Sequence, residues 1–319
     1  MHRTYADQPH WRAIQAFLPP EFRIGPGQEP AEEWWEHEGH SIHLDTYRDP
    51  AAPVKVILLH GVGTNGRQMT TILGRPLAER GYETIAADMP AYGLTEVAPG
   101  ALVTYDDWVR IAADLVDVEL ARDDRPIVLY GLSAGGMQAY HVAAVNRRVR
   151  GVVGMTFLDQ RSRQVATETA VTRLAGRLGT PVVVAAGGSP LRRLRVPMRL
   201  VSKMHALVND KAAARACYRD PTSAGNRVTL AFLRSYLRYA PAVEPADFDV
   251  CPVLLTQPAA DRWTPLHLSR PFLDELGRVP VSTVLLENAG HYPLEQPGLD
   301  QLVNAVDTFC AGVTAPPGD

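Results

Sequence analysis

Cysteine is scarce in this chain, and long apolar runs are absent. The three cysteines, Cys217, Cys251 and Cys310, stand far apart with no Cys-x-x-Cys pair. That argues against a disulfide framework or a zinc site and suits a reducing cytosol. No run approaches the roughly 18 apolar residues that a membrane span requires. The first ten residues, from Met1 to His10, lack the apolar core of a signal peptide, so a cytoplasmic protein is expected. An excess of one charge is missing too. The net charge of −3 gives no global nucleic-acid footprint, and no nucleic-acid partner is expected. What is present is ordinary for a globular protein: 46% hydrophobic and 21% charged residues in a chain of 319. That length accommodates one large α/β domain with an inserted subdomain. There is no internal repeat and no low-complexity tract.

Residues 1–33 are punctuated by proline and glycine and read as an N-terminal arm with a short helix at 11–18. Residues 34–40 and 41–47 read as a hairpin turning near Gly39. From there apolar runs alternate with helical spacing. Strands are expected at 54–59, 83–88, 127–131 and 149–158, and helices at 67–80 and 105–121. This alternation implies right-handed crossovers and a mainly parallel sheet flanked by helices. It stops between 160 and 246. There, helices are expected at 165–178, 190–208, 211–218 and 227–239, and 181–188 reads as a strand or a buried turn. The α/β pattern resumes with strands at 253–256 and 281–286 and helices at 266–276 and 299–309, followed by a polar tail at 314–319. The expected organisation is an arm (1–33), a core (34–159 and 247–313) and a helical cap, or lid, inserted after the sixth strand (160–246).

The centre of the chain is Ile127-Val128-Leu129-Tyr130-Gly131-Leu132-Ser133-Ala134-Gly135. An apolar strand runs into Gly-x-Ser-x-Gly and then into a helix. A serine at such a turn is held in a strained backbone with its hydroxyl presented, at a helix N-terminus that favours developing negative charge. Serine needs a base within hydrogen-bond reach, and the base needs a carboxylate to orient it. His291 follows the last strand, in Asn288-Ala289-Gly290-His291. Asp261 follows the strand before that. Asp159 is the rival acid, because it too follows a strand. The backbone N–H groups of Val62 and Ala134 are the expected oxyanion donors. Val62 lies in His60-Gly61-Val62-Gly63, just past another strand. His60, Gly61, Gly63 and Leu132 are expected to border the substrate, with His60 also shaping its loop. Gly61-Val62-Gly63-Thr64-Asn65-Gly66 fits G-x-G-x-x-G as well. A dinucleotide site, with Asp88 as the acid at the next strand end, stays open on sequence.

With Ser133, Asp261 and His291 in this chain order, the sequence resembles the α/β-hydrolase fold family from about residue 34 to 309. Within it, the chain is most similar to the serine esterase, monoacylglycerol lipase and lysophospholipase-like branch. The resemblance implies a Ser-His-Asp triad, no metal and no organic cofactor. The expected activity is hydrolysis of a small-molecule carboxylic ester through an acyl-enzyme. Acyl transfer, lactone opening, and C–C or amide cleavage remain open on the same fold, as does a non-catalytic ligand receptor.

The lid carries an uneven charge. Between 160 and 217 there are eleven Lys/Arg against Glu168 and Asp210, a net of +9, which leaves −12 for the rest. Residues 191–204 interleave basic and apolar side chains. A weak contact with anionic lipid, or an anionic substrate head group, is one expectation. A solvated helical face is the other. The oligomeric state is not legible.

Overall fold

The structure, a computed structural model, describes residues 2–314. The expected polar tail lies outside the described residues, apart from Thr314. That residue ends the last helix, Gly298–Thr314.

Among the described residues ten strands form two sheets. β1 (Ala31–His37), β2 (His40–Tyr47), β3 (Lys55–Leu59), β4 (Glu83–Ala87), β5 (Ile127–Gly131) and β6 (Gly151–Gly154) precede the insertion. β7 (Arg195–Pro197) and β8 (Arg227–Thr229) lie within it, and β9 (Val253–Pro258) and β10 (Val281–Leu286) follow it. The main sheet has the order β1-β2-β4-β3-β5-β6-β9-β10. β1, β2 and β4 pair antiparallel, and every pair from β4 to β10 is parallel. β3 and β5 are central and buried along their whole length, as a strand covered on both faces must be. The hairpin turns at Glu38 and Gly39, both with positive φ.

The flanking helices begin where their caps are. Thr104 and Asp107 form a reciprocal capping box on Tyr105–Arg122. Asn65 and Gln68 do the same for the helical run that starts at Gly66 and carries a π turn at Thr70–Gly74. The N-terminal arm is tightly held. Its helix, Pro9–Gln15, buries Trp11 and Ile14. Tyr5 and Trp11 stack on Arg67, with the guanidinium carbon 4.5 and 4.7 Å from the ring centroids. Arg67 also grips Asp45 with two hydrogen bonds, of 2.5 and 2.9 Å.

Six expectations are corrected. The helix expected at 165–178 is interrupted: Arg163–Thr169 ends before a bridge between Ala170 and Ser202, and the helical run resumes at Arg173. The helix expected at 227–239 starts only at Leu230, because Arg227–Thr229 is the strand β8. The run 181–188 is neither strand nor buried turn but a helix, Thr180–Gly187, which continues directly from the π turn Ala175–Gly179, with Pro181 just past that turn. The stretch 190–208 is not one helix. Pro190 and Pro197 divide it into short 3-10 turns around β7, which pairs with β8. The strand expected at 149–158 keeps only Gly151–Gly154 in the ladder. Beyond it the chain stays buried but bends away, the Phe157 N–H donating to Ser269 Oγ. The helix expected at 266–276 is broken by Pro271 into a 3-10 turn, Leu266–Leu268, and a short helix, Arg270–Leu273.

Candidate active site

β5 ends at Gly131, and the helix Ala134–Asn146 starts three residues on. Between them Ser133 has φ 57° and ψ −118°. That conformation costs a non-glycine residue on the order of 1–3 kcal/mol and persists only where the surroundings enforce it. The enforcement is close packing. A Cβ on Gly131 would lie 1.9 Å from the Gly135 carbonyl oxygen, and one on Gly135 would lie 2.3 Å from that of Leu59. The two glycines of the motif are therefore needed for approach of backbone to backbone.

His291 and Asp261 meet across two strand ends. His291 Nδ1 lies 2.9 Å from Asp261 Oδ2. The two carboxylate oxygens divide their work. Oδ1 accepts the backbone N–H groups of Trp263 and Thr264 at 2.7 and 2.8 Å. Oδ2 faces His291 and accepts the Thr264 hydroxyl at 2.7 Å. Initiating a turn and orienting a histidine are thus not competing roles for Asp261. Burial would raise the Asp261 pKa, but the facing His291 and the hydrogen bonds from His291 and Thr264 hold it below the usual carboxylate range. Thr264 Oγ1 also lies 3.0 Å from His291 Nδ1, so the Nδ1 proton is shared between two oxygens. With its proton committed there, the neutral ring presents Nε2 as an acceptor. Nε2 is buried and has no hydrogen-bond partner among the described residues. Trp263 packs on the ring, centroids 4.7 Å apart.

Ser133 and Thr264 line one cavity of about 230 Å³, together with Val62 and Trp263. The remaining walls come largely from the insertion, including Ala175, Val183, Met198, Leu233 and Tyr236. No charged side chain lines it, and its polar groups include the amide of Gln160, which donates to the Tyr236 hydroxyl at 3.1 Å. None of the basic residues of the insertion reaches this cavity, so the structure offers no cation to an anionic head group.

The remaining sequence expectations divide. Ala134 heads the helix and its N–H donates to no backbone acceptor among the described residues; the same holds for Val62. Gly61 packs on Leu132 and Ser133, and Gly63 on Met204. These two glycines and Leu132 stand behind the cavity wall and do not line it. His60 does not border the cavity either. It is fully buried beside Tyr92 and Trp108, with Nδ1 2.9 Å from the Gly61 carbonyl and Nε2 accepting the Met89 N–H at 2.9 Å. It shapes the loop. Asp159 is taken by Arg161, at 2.8 Å, and makes no contact with His291. Asp88 is no ribose acceptor: it accepts the N–H groups of Gly66 and Leu94 and the Tyr5 hydroxyl, and faces His43. Gln160, Trp263, Thr264 and Tyr236 escaped the sequence reading. Only Thr264 left a signal, in Asp261-Arg262-Trp263-Thr264, where an Asp and a hydroxyl three residues on commonly share a turn. Among the described residues no group of three His, Cys, Asp or Glu is placed to hold a metal ion. None of their helices is long and apolar enough to cross a membrane.

Comparison with known proteins agrees with this architecture. The family model described as "Alpha/beta hydrolase family" matches residues 56–301. No curated protein matches the chain in sequence. Among solved structures, the monoglyceride lipase of Saccharomyces cerevisiae superposes with a TM-score of 0.74 at 16% identity, over 94% of this chain and 99% of that one. The monoacylglycerol lipase of Paleococcus ferrophilus gives 0.65 at 18% identity, over 85% and 99%. Est1E of Butyrivibrio proteoclasticus, a structure with ferulic acid bound, gives 0.60 at 18%, over 89% and 100%. Identities this low show a shared fold and leave the substrate open. The family match spans most of the chain, and on it this protein belongs to the α/β-hydrolase family.

Proposed function

We propose that the chain is a serine hydrolase of carboxylic esters. One observation carries this reading. The Asp261–His291 pair ends in an unpartnered, buried Nε2, and the two residues packed on that ring, Trp263 and Thr264, line one cavity together with Ser133 on its strained turn. Ser133 Oγ attacks the ester carbonyl while His291 Nε2 takes its proton. Asp261 and Thr264 hold the ring and its tautomer. The N–H groups of Val62 and Ala134 receive the charge of the tetrahedral oxyanion. His291 then returns the proton to the leaving alcohol, and water releases the acid by the same steps. The hydrogen bond from Ser133 Oγ to His291 Nε2 forms when substrate fills the site. Residues 160–246 act as the cap that supplies the acyl pocket. With no charge in its walls, that pocket suits a neutral, apolar acyl chain. The three cysteines are buried and free, which supports a reducing, cytoplasmic setting.

The test is hydrolysis of p-nitrophenyl esters of increasing chain length. Ser133→Ala is expected to lose at least about a thousandfold in kcat. A fluorophosphonate probe is expected to label the wild type and not the variant. A folded Ser133→Ala protein with full turnover would sink the mechanism.

A further inference from the structure

The face of the cap turned away from the cavity is unusual in two respects. First, the helical run from Arg173 to Gly187 is apolar on both sides. Ala175, Gly179 and Val183 line the cavity, while Leu174, Leu178 and Val182, each one residue earlier, are about two-thirds exposed. Their i, i+4, i+8 spacing makes one outward stripe. Leu191 and Leu194 add exposed apolar surface in the turn that packs on this helix. Secondly, the chain from 169 to 209 holds Arg173, Arg177, Arg192, Arg193, Arg195, Arg199 and Lys203 and not one acid. By contrast Arg161, just before this stretch, is paired with Asp159 and Glu244. Among the described residues the seven form no ion pair, and Arg193 alone touches a carbonyl, that of Gly100.

We propose that this face docks on an anionic lipid bilayer, with the Leu174/Leu178/Val182 stripe entering the acyl boundary and the surrounding arginines meeting the head groups. Charge decides between occupants. A second copy of the same face would set seven cations against seven. A nucleic acid would satisfy the arginines and leave the leucine stripe in water. An anionic bilayer satisfies both at once. The rest of the molecule carries the compensating negative charge, so it is repelled by the same surface and turns the cap toward it. The outer stripe and the acyl pocket are two faces of one helix, so docking would bring the cavity to within a helix diameter of the lipid.

Flotation of the full-length protein with vesicles tests this. One set is phosphatidylcholine alone, the other phosphatidylcholine with phosphatidylserine. The expected result is flotation with the phosphatidylserine vesicles only, reversed as salt is raised. Each cation near such a surface contributes about fivefold in partition, so Arg173→Glu, Arg177→Glu, Arg192→Glu and Arg193→Glu together are expected to lower it by at least about a hundredfold. Leu174→Ser, Leu178→Ser and Val182→Ser together are expected to lower it about tenfold or more while leaving its salt dependence. Both variants keep wild-type turnover of a soluble short ester. No flotation, equal flotation on both compositions, or flotation untouched by the arginine variant overturns the proposal. So does covering of this face in a stable dimer, or a preference for single-stranded DNA over vesicles. The readout is binding and does not use Ser133. Flotation without ester turnover would therefore count against the hydrolase reading alone.

Discussion

Two histidines of this chain each lie against a buried aspartate and end in opposite states. His43 is enclosed between β1, β2 and the end of β4. Its Nδ1 lies 2.9 Å from Asp88 Oδ2, within ion-pair distance though not aligned as a hydrogen bond, and its Nε2 lies 3.1 Å from Glu32 Oε2. Burial would lower its pKa, but the two carboxylates and nearby Asp45 outweigh this and raise it to about 10. Both nitrogens face carboxylates, and the ring stays an imidazolium with nothing left to accept a proton. His291 faces one carboxylate, and its second nitrogen is unclaimed. Burial and an acidic partner are common to both, so neither marks a base. An unclaimed nitrogen does, on a ring whose neighbours Trp263 and Thr264 line a cavity with Ser133.

Substitution of the two rings gives the widest expected contrast. His291→Gln should reduce kcat about ten-thousandfold or more with little change in Tm. His43→Gln should leave kcat per folded molecule near wild type but cost about 3–5 kcal/mol of stability, because Asp88 and Glu32 would keep their burial and lose their cation. Urea melts beside ester assays separate the two; a destabilised but active His291→Gln protein would erase the distinction.

Acidity sharpens it next. His43 has a folded pKa raised well above its unfolded value of about 6.5, so its contribution to stability is complete below about pH 6.5 and is lost as pH rises through about 10. His141 is buried without an acidic partner, and burial, with Arg161 nearby, lowers its pKa to about 3. Its contribution runs the other way: present above about pH 6.5 and lost as pH falls toward 3. Wild-type Tm should therefore fall at both ends, and His43→Gln should flatten the alkaline limb alone. An alkaline limb unchanged in that variant would place its origin elsewhere.

The smallest effect concerns the hydroxyl that bridges acid and base. Thr264→Val removes the bond to Asp261 Oδ2 and the contact with Nδ1. A hydrogen bond to a carboxylate contributes about 1.5–3 kcal/mol, part of which the backbone N–H groups of residues 263 and 264 retain. A roughly tenfold loss in kcat at unchanged KM is expected, with Thr264→Ser restoring most of it. Equal kcat in Thr264→Val would reduce Thr264 to a turn residue.

Much of this molecule was legible in its residues, and the misses share a cause. The buried strands and the turn at Ser133 announced themselves by continuous apolar runs and flanking glycines. The run at 181–188 misled because valines favour strands, yet continuity with the preceding π turn and a partner helix, Leu230–Arg238, decided otherwise. His60 was expected at the substrate and instead serves its loop, because Met89, 29 residues on, folds back to donate its N–H to Nε2, a contact that sequence proximity does not show.

Sequence alone determined the order of strands and helices outside the 160–246 insertion and the positions of Ser133, Asp261 and His291 after strand ends. These follow from local rules: side-chain periodicity, the steric demands of a tight turn, and the break that a strand end makes in an apolar run. Tertiary structure alone decided that, of the two carboxylate-paired histidines, His43 faces acids with both nitrogens and His291 with one, that Thr264 reaches His291 across 27 residues, and which side of the 173–187 helix meets the cavity and which meets solvent. Those depend on what fills a side chain's surroundings, and a chain's neighbours in space are set only when its elements pack.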